Sequence, residues 1–241
     1  MTLYIIATPI GNLKDITLRA LEVLKSVDLI LCEDTRKTKK LLFHYNIHKP
    51  LMVFHQHSSK KVFENVLKLL NEGKNLALVT EAGTPGISDP GNQLVEFLTK
   101  QGSPRAKRSL GEPEEIKIVP ISGPSALTAA LSIAGVDANK FVFLGFPPAK
   151  KGRKKYFKKL KELNQEFTAA LYESPHRFLK TLDNLMEVFG EDKSIIICRE
   201  LTKLHEEIFR GTLKQTKEHF KNGVKGELVL ILDPVARKRR G

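Results

Sequence analysis

The chain has 241 residues, 41% of them hydrophobic, enough to bury a core without disulfide or metal staples. Forty Lys and Arg against 27 Asp and Glu leave a formal charge of +13, a balance that draws polyanions over long range. Cys32 and Cys198 lie far apart in apolar runs, which fits buried free thiols; no apolar run reaches the ~18 residues of a membrane span. The first apolar run has no basic region before it, unlike a secretory leader, so a cytoplasmic protein with no membrane partner is expected.

Residues 3–7 are nearly all apolar, as in a strand buried on both faces, and 8–12 break the run. Residues 17–27 place Leu18, Leu21, Leu24 and Val27 on one helical stripe, with Asp15 or Thr17 as the cap. A strand at 28–32 leads through Glu33-Asp34-Thr35-Arg36 into a short helix ending at His44. A strand at 51–54, a helix at 59–71 closed by Gly73, and a strand at 75–80 follow. Residues 81–91, Glu-Ala-Gly-Thr-Pro-Gly-Ile-Ser-Asp-Pro-Gly, then form a loop stiffened by prolines and freed at three glycines. Such a loop either lines a ligand site or is a structural double turn. A helix through Leu94, Val95 and Leu98 comes next, and 101–115 lacks apolar periodicity, as a surface loop near a domain boundary does.

The second half continues in the same style. Strands are expected at 116–120, 141–146, 168–172, 194–198, 207–211 and 227–232, with helices ending at Gly135, at 154–164, up to Phe189 and at 213–220. The tail 236–241 is basic and expected to be disordered. Strands alternating with helices predict an α/β fold of two wound domains, residues 1–115 and 116–241.

Familiar signatures are missing. There is no G-x-G-x-x-G, no G-x-x-x-x-G-K-[ST] and no G-x-S-x-G, so a nicotinamide site, a Walker-type nucleotide site and a serine-hydrolase elbow gain no support. His44 and His48 have ligand spacing, as do His55 and His57, but no cysteine stands near them, and no metal site is expected. What remains is six polar turns, each after an apolar run: 8–12, 33–36, 81–91, 122–126, 173–177 and 199–203. Each alone could be a cap. If they gather at one end of wound strands, they line a cleft.

The turns, in order, carry Thr-Pro-Ile-Gly-Asn (8–12), Glu-Asp-Thr-Arg (33–36), Glu-Ala-Gly-Thr-Pro-Gly (81–86), Gly-Pro-Ser-Ala (123–126), Tyr-Glu-Ser-Pro-His-Arg (172–177) and Arg-Glu-Leu-Thr-Lys (199–203). This ordered set resembles the ribosomal-RNA-methylating branch of the tetrapyrrole-methylase superfamily, over nearly the whole chain. The resemblance implies two α/β domains, a homodimer and S-adenosyl-L-methionine held in the interdomain cleft. It implies methyl transfer, without a metal, to the ribose 2′-hydroxyl of a cytidine in the decoding region of 16S rRNA. It also marks Thr8, Pro9, Ile10, Gly11, Glu81, Gly83, Gly86, Ile87, Ser125, Ala126 and Tyr172 as cofactor contacts. Two positions depart from the family pattern: Glu81 stands where Asp is usual, and Ser122 where Pro is common.

A ribose hydroxyl is a poor nucleophile, so a general base should help. Glu33, Asp34, Glu173 and Glu200 are the acids best placed by sequence, and each could instead cap a helix or pair with Arg36, Arg177 or Arg199. In this scheme Arg36, Arg177 and Lys203 hold phosphates while one acid takes the proton. The basic stretch Lys150, Lys151, Arg153, Lys154, Lys155, Lys158, Lys159 and Lys161 reads as an outward charged face over an inner face of Tyr156, Leu160 and Leu163. Two other readings stay open: a methylase of the same fold acting on a tetrapyrrole, and a non-catalytic RNA-binding assembly factor.

Overall fold

The structure, a computed structural model, describes residues 1–101 and 116–234. The loop expected at 101–115, beyond Gln101, and the tail expected at 236–241 lie outside the described residues. Among the described residues no helix is long and apolar enough to cross a membrane. The chain divides into two units, Met1–Ser125 and Ala126–Gly241.

The first unit alternates strand and helix: β1 (Thr2–Ile6), α1 (Leu18–Ser26), β2 (Leu29–Cys32), α2 (Thr35–His44), β3 (Leu51–Val53), α3 (Lys60–Asn71), β4 (Leu76–Leu78), α4 (Asn92–Gln101) and β5 (Lys117–Ile121). The strands form one sheet in the order β3-β2-β4-β1-β5, every neighbouring pair parallel. Alternate residues serve opposite faces. Ile6, Ile30 and Ala77 pack with α1 and α2 through Ala20, Leu24, Leu41 and Leu42. Leu3, Leu31, Leu76 and Leu78 pack with α3 and α4 through Val66, Leu70, Leu94 and Leu98. Apolar side chains on both faces are what a parallel sheet covered by crossover helices requires.

Three details differ from the sequence expectations. Leu18, placed on the inner stripe of α1, is 79% exposed; it is the first residue of the helix, next to the Thr17 cap that accepts from the Ala20 N–H at 3.1 Å, and the buried stripe is Ala20, Leu24 and Val27. The expected division after residue 115 falls ten residues early, since β5 pairs with β1 from Thr2↔Lys117 to Ile6↔Ile121 and so completes the first sheet. The strand expected at 141–146 ends at Phe143.

The second unit holds α5 (Ala126–Ala134), β6 (Phe141–Phe143), α6 (Arg153–Leu163), β7 (Thr168–Glu173), α7 (Phe178–Phe189), β8 (Ser194–Arg199), β9 (Glu207–Thr212), α8 (Leu213–His219) and β10 (Leu228–Leu232). Its sheet order is β6-β7-β10-β8-β9. β6 and β7 are parallel, while β10 runs antiparallel to both β7 and β8, and β9 antiparallel to β8. This sheet is therefore mixed rather than mainly parallel: β8 reaches β9 through the seven-residue connection 200–206 and needs no crossover helix. Phe157 and Leu160 of α6, Phe178, Leu182 and Leu185 of α7, and Leu213 of α8 cover one face, and α5 packs on β10.

Candidate functional site

Because the first sheet is all parallel, the segments after β1, β2, β3, β4 and β5 emerge along one edge. The 8–12, 33–36, 81–91 and 122–125 turns are thereby brought to that edge. Their backbones are tied together. The Thr8 N–H donates to the Gly83 carbonyl and the Gly83 N–H to the Thr8 carbonyl, both at 2.9 Å. The Thr8 hydroxyl donates to the Thr80 carbonyl at 3.3 Å, and the Thr84 hydroxyl to the Pro124 carbonyl at 3.2 Å. Thr8 and Ile10 are buried, Gly11 and Ile87 are exposed, and Pro9, Ser125 and Ala126 are half-buried.

The glycines of the 81–91 loop have a geometric reason. Gly83 sits at φ +78°, and a Cβ there would lie 3.5 Å from the Ile10 side chain. Gly86 sits at φ +86°, where a Cβ would come 2.6 Å from Asn92 Oδ1, the side chain whose amide donates to the Gly86 carbonyl at 2.9 Å. The loop is a pinned ribbon whose main chain lies close to its neighbours.

Four titratable groups gather at the ends of β2, β3 and β4 and the start of α2. Glu81 forms an ion pair with Lys37. Glu33, half-buried beside them, has its carboxyl raised above the usual range, chiefly by desolvation and next by the Glu81 charge, with His55 and Lys37 pulling the other way. Asp34 serves a different purpose. It caps α2, accepting from the Arg36 N–H at 2.8 Å, and its carboxylate also takes the Arg36 guanidinium at 3.1 Å, which holds it below the ordinary value. Arg36 itself is fully solvated apart from that pair, its side chain 87% exposed.

In the second unit β7 and β8 both run antiparallel to β10, so their carboxyl ends share an edge. Glu173, at the end of β7, is buried. Its Oε1 accepts from the Ser174 N–H at 2.7 Å and from Arg177 Nη2 at 2.8 Å; its Oε2 accepts from the Thr181 hydroxyl and lies 4.0 Å from Arg153. Arg153 is buried too, donating to Thr181 Oγ1, to Asn184 Oδ1 at 2.7 Å and to the Pro148 carbonyl at 3.0 Å. Arg177 donates to the Pro147 carbonyl at 3.0 Å. The two arginines and one carboxylate thus clamp the segment after β6 onto β7. Beside it Tyr172 lies edge-on to Phe143, centroids 4.8 Å apart, and 5.5 Å from Phe146.

At the end of β8, Glu200 accepts from Lys203 Nζ and the Glu227 N–H, each at 2.8 Å, and Lys203 also reaches the Glu227 carboxylate at 2.9 Å. Hydrogen bonds from Lys203 and the Glu227 amide hold Glu200 below the normal range against its own desolvation. Glu200 takes φ +51° and folds against Gly226, where a Cβ would collide with its side chain at 2.4 Å.

Of the expected acids, the structure leaves Glu33 outside any cap or tight ion pair among the described residues, whereas Asp34, Glu173 and Glu200 are spent on local structure. Arg36, Arg177 and Lys203 are all engaged by those same acids. Arg153, read from sequence as part of the charged face, is a correction: it points inward on the stripe Arg153, Phe157, Leu160, while Lys150, Lys151, Lys154, Lys155, Lys158, Lys159 and Lys161 are exposed. Its i, i+4, i+7 spacing with two apolar residues was a visible signal. Lys37 and His55, which complete the Glu33 cluster, had no sequence signal, since the ends of three different strands meet there only in the folded sheet.

Comparison with known proteins gives one family and consistent relatives. The family model "Tetrapyrrole (Corrin/Porphyrin) Methylases" matches residues 2–217. A Thermotoga maritima protein named "Ribosomal RNA small subunit methyltransferase I" is 46% identical over 231 residues, 95% of this chain and 97% of the relative. Proteins of the same name from Synechocystis sp. and Escherichia coli O157:H7 are 44% and 43% identical, over 95% and 96% of this chain and 78% and 77% of their own.

Proposed function

The chain belongs to the tetrapyrrole (corrin/porphyrin) methylase family, and from that premise we propose that it uses S-adenosyl-L-methionine to methylate small-subunit ribosomal RNA, at the ribose 2′-hydroxyl of a cytidine in the decoding region of 16S rRNA. We read it as a cytoplasmic homodimer. The observation that carries the reading is the edge of the first sheet. There a glycine ribbon tied to the β1 turn stands beside an acid with a raised pKa. The second unit, taken by itself, carries seven exposed cations on or next to α6.

The residues fit the cofactor. The main chains of Thr8 and Gly83 are paired to each other and fix the neighbouring segments 9–11, 84–87 and 125–126, which are the ones to offer main-chain groups to the cofactor; a Cβ at Gly86 would come 2.6 Å from the Asn92 side chain, and one at Gly91 would come 3.2 Å from the Gly86 nitrogen. When bound, S-adenosyl-L-methionine supplies an electrophilic methyl group on a sulfonium. Main-chain carbonyls suit a cationic centre without trapping it in an ion pair. Fixed loops supply alignment, which is worth up to ~7–11 kcal/mol in favourable cases.

Glu33 is the acid we assign as general base. Its desolvation raises its affinity for a proton, which is what a base needs, and such assistance is typically worth ~10²–10⁴-fold. Lys37 and Glu81 set the local field on it. Asp34, Glu173 and Glu200 act as positioning residues: they hold Arg36, Arg177 and Lys203.

The test is incubation with methyl-labelled S-adenosyl-L-methionine and, separately, unmodified small ribosomal subunits, naked 16S rRNA and a precorrin. Label in a cytidine ribose of subunits or rRNA supports the reading. Label only in the precorrin overturns it in favour of a tetrapyrrole substrate. RNA binding with no label anywhere makes the protein an assembly factor.

A further inference from the structure

Between α2 and the edge strand β3 the first unit opens a groove of about 500 Å³. Lys39, Phe43, Ile47, His48, Lys49 and Leu51 line it, with no acid among its lining residues. Phe43 is 78% exposed and stands one helical turn beyond Lys39, and Lys40 and His44 repeat that spacing on the adjoining face. Among the described residues none of Lys39, Lys40, His48 and Lys49 has an ion pair, whereas Lys37, on the same helix, is held by Glu81. A large aromatic ring in water, set among uncompensated cations, is complementary to an unpaired nucleic-acid strand: the ring takes a base face and the ammonium groups take phosphates. A second copy of this surface is the poorer fit, because a two-fold contact sets equal patches face to face and would oppose the same lysines.

The groove is distinct from the strand-end site. α2 starts directly after Glu33 and Asp34, and Phe43 stands eight residues beyond its first residue, about 12 Å along the helix axis. We propose that this groove is an accessory RNA-binding surface, on which an unpaired stretch of the substrate rRNA, away from the reacting nucleotide, stacks a base on Phe43 and lays its phosphates along Lys39 and Lys49. The proposal rests on the rRNA reading above.

Phe43→Ala and the double variant Lys39→Gln/Lys49→Gln, made in the full chain, test it. The readouts are affinity for unmodified 16S rRNA as a function of salt, kcat and KM for methyl transfer, S-adenosyl-L-methionine affinity, and sedimentation. The expected result for Phe43→Ala is RNA binding weaker by about 5- to 100-fold, with kcat and cofactor affinity unchanged. The double variant should flatten the log–log salt slope by roughly 0.7 for each phosphate it no longer neutralises. Variants that match the parent in affinity and slope, while the parent methylates rRNA, overturn the groove alone. A changed sedimentation with RNA affinity intact assigns the groove to self-association and overturns it too. A parent that neither binds nor methylates rRNA overturns both this proposal and the function on which it rests.

Discussion

Thr8 and Gly83 exchange both of their backbone hydrogen bonds at 2.9 Å, joining the turn after β1 to the loop after β4 although 75 positions separate them. That bridge converts two flexible turns into one fixed ledge. Gly83 adopts φ +78°, a region that costs an L-residue ~1–2 kcal/mol and a glycine almost nothing. Gly83→Ala should lower global stability by about that amount and weaken S-adenosyl-L-methionine binding further, because strain relief moves the ledge. Calorimetric titration beside a urea melt checks it; unchanged cofactor affinity in a destabilised protein would remove Gly83 from the site.

Glu33 has two consequences for pH. Burial and the Glu81 charge favour its protonated form, so its contribution to stability is complete below the ordinary carboxyl pKa of about 4.3 and is lost as pH rises through the higher folded value. Glu33→Gln should therefore be more stable than the parent at pH 7, with the difference vanishing in acid. The same substitution should reduce kcat by ~10²–10⁴-fold and erase the acid limb of the pH–rate profile. A variant that keeps both rate and acid limb rules out Glu33 as the base.

Arg153 and Glu173 form a buried network rather than a nucleic-acid contact. Removing one partner leaves the other charge desolvated, which typically costs about 3–5 kcal/mol. Glu173→Ala and Arg153→Ala should each fall in this range by urea denaturation. Glu173→Gln, which keeps the acceptor for Ser174, should lose less.

The exposed face of α6 makes the opposite prediction. Lys151, Lys155 and Lys159 are solvated, so replacing them with glutamine should leave the melting temperature within about 2 °C. If this face meets rRNA, the salt slope should fall by roughly 0.7–0.9 for each phosphate left without its lysine. An unchanged slope would confine RNA binding to other surfaces.

Cys32 and Cys198 are both fully buried, and desolvation raises both thiols, Cys198 to about 11. A thiol reagent at pH 8 should find neither in the native protein and both after denaturation, since thiolate is the reactive form. Rapid native labelling would mean that one of the sheets opens locally.

The sequence by itself determined much here, because its signals are local. Apolar runs such as residues 3–7 and 75–80, broken by Gly and Pro, announce buried strands ending in turns, and Asp15 or Thr17 announces the cap of α1, a role that Thr17 takes in the fold. The same turns carried the family resemblance. Tertiary structure alone decided how those pieces are used. β5 joins β1 across more than a hundred residues, which no local pattern encodes. Four acids looked alike in sequence; three proved to be occupied by Arg36, Arg177 and Lys203, and Glu33 was set apart by neighbours from other strands. A side chain's chemistry depends on what is packed against it and how much water is excluded, and both are properties of the assembled sheet.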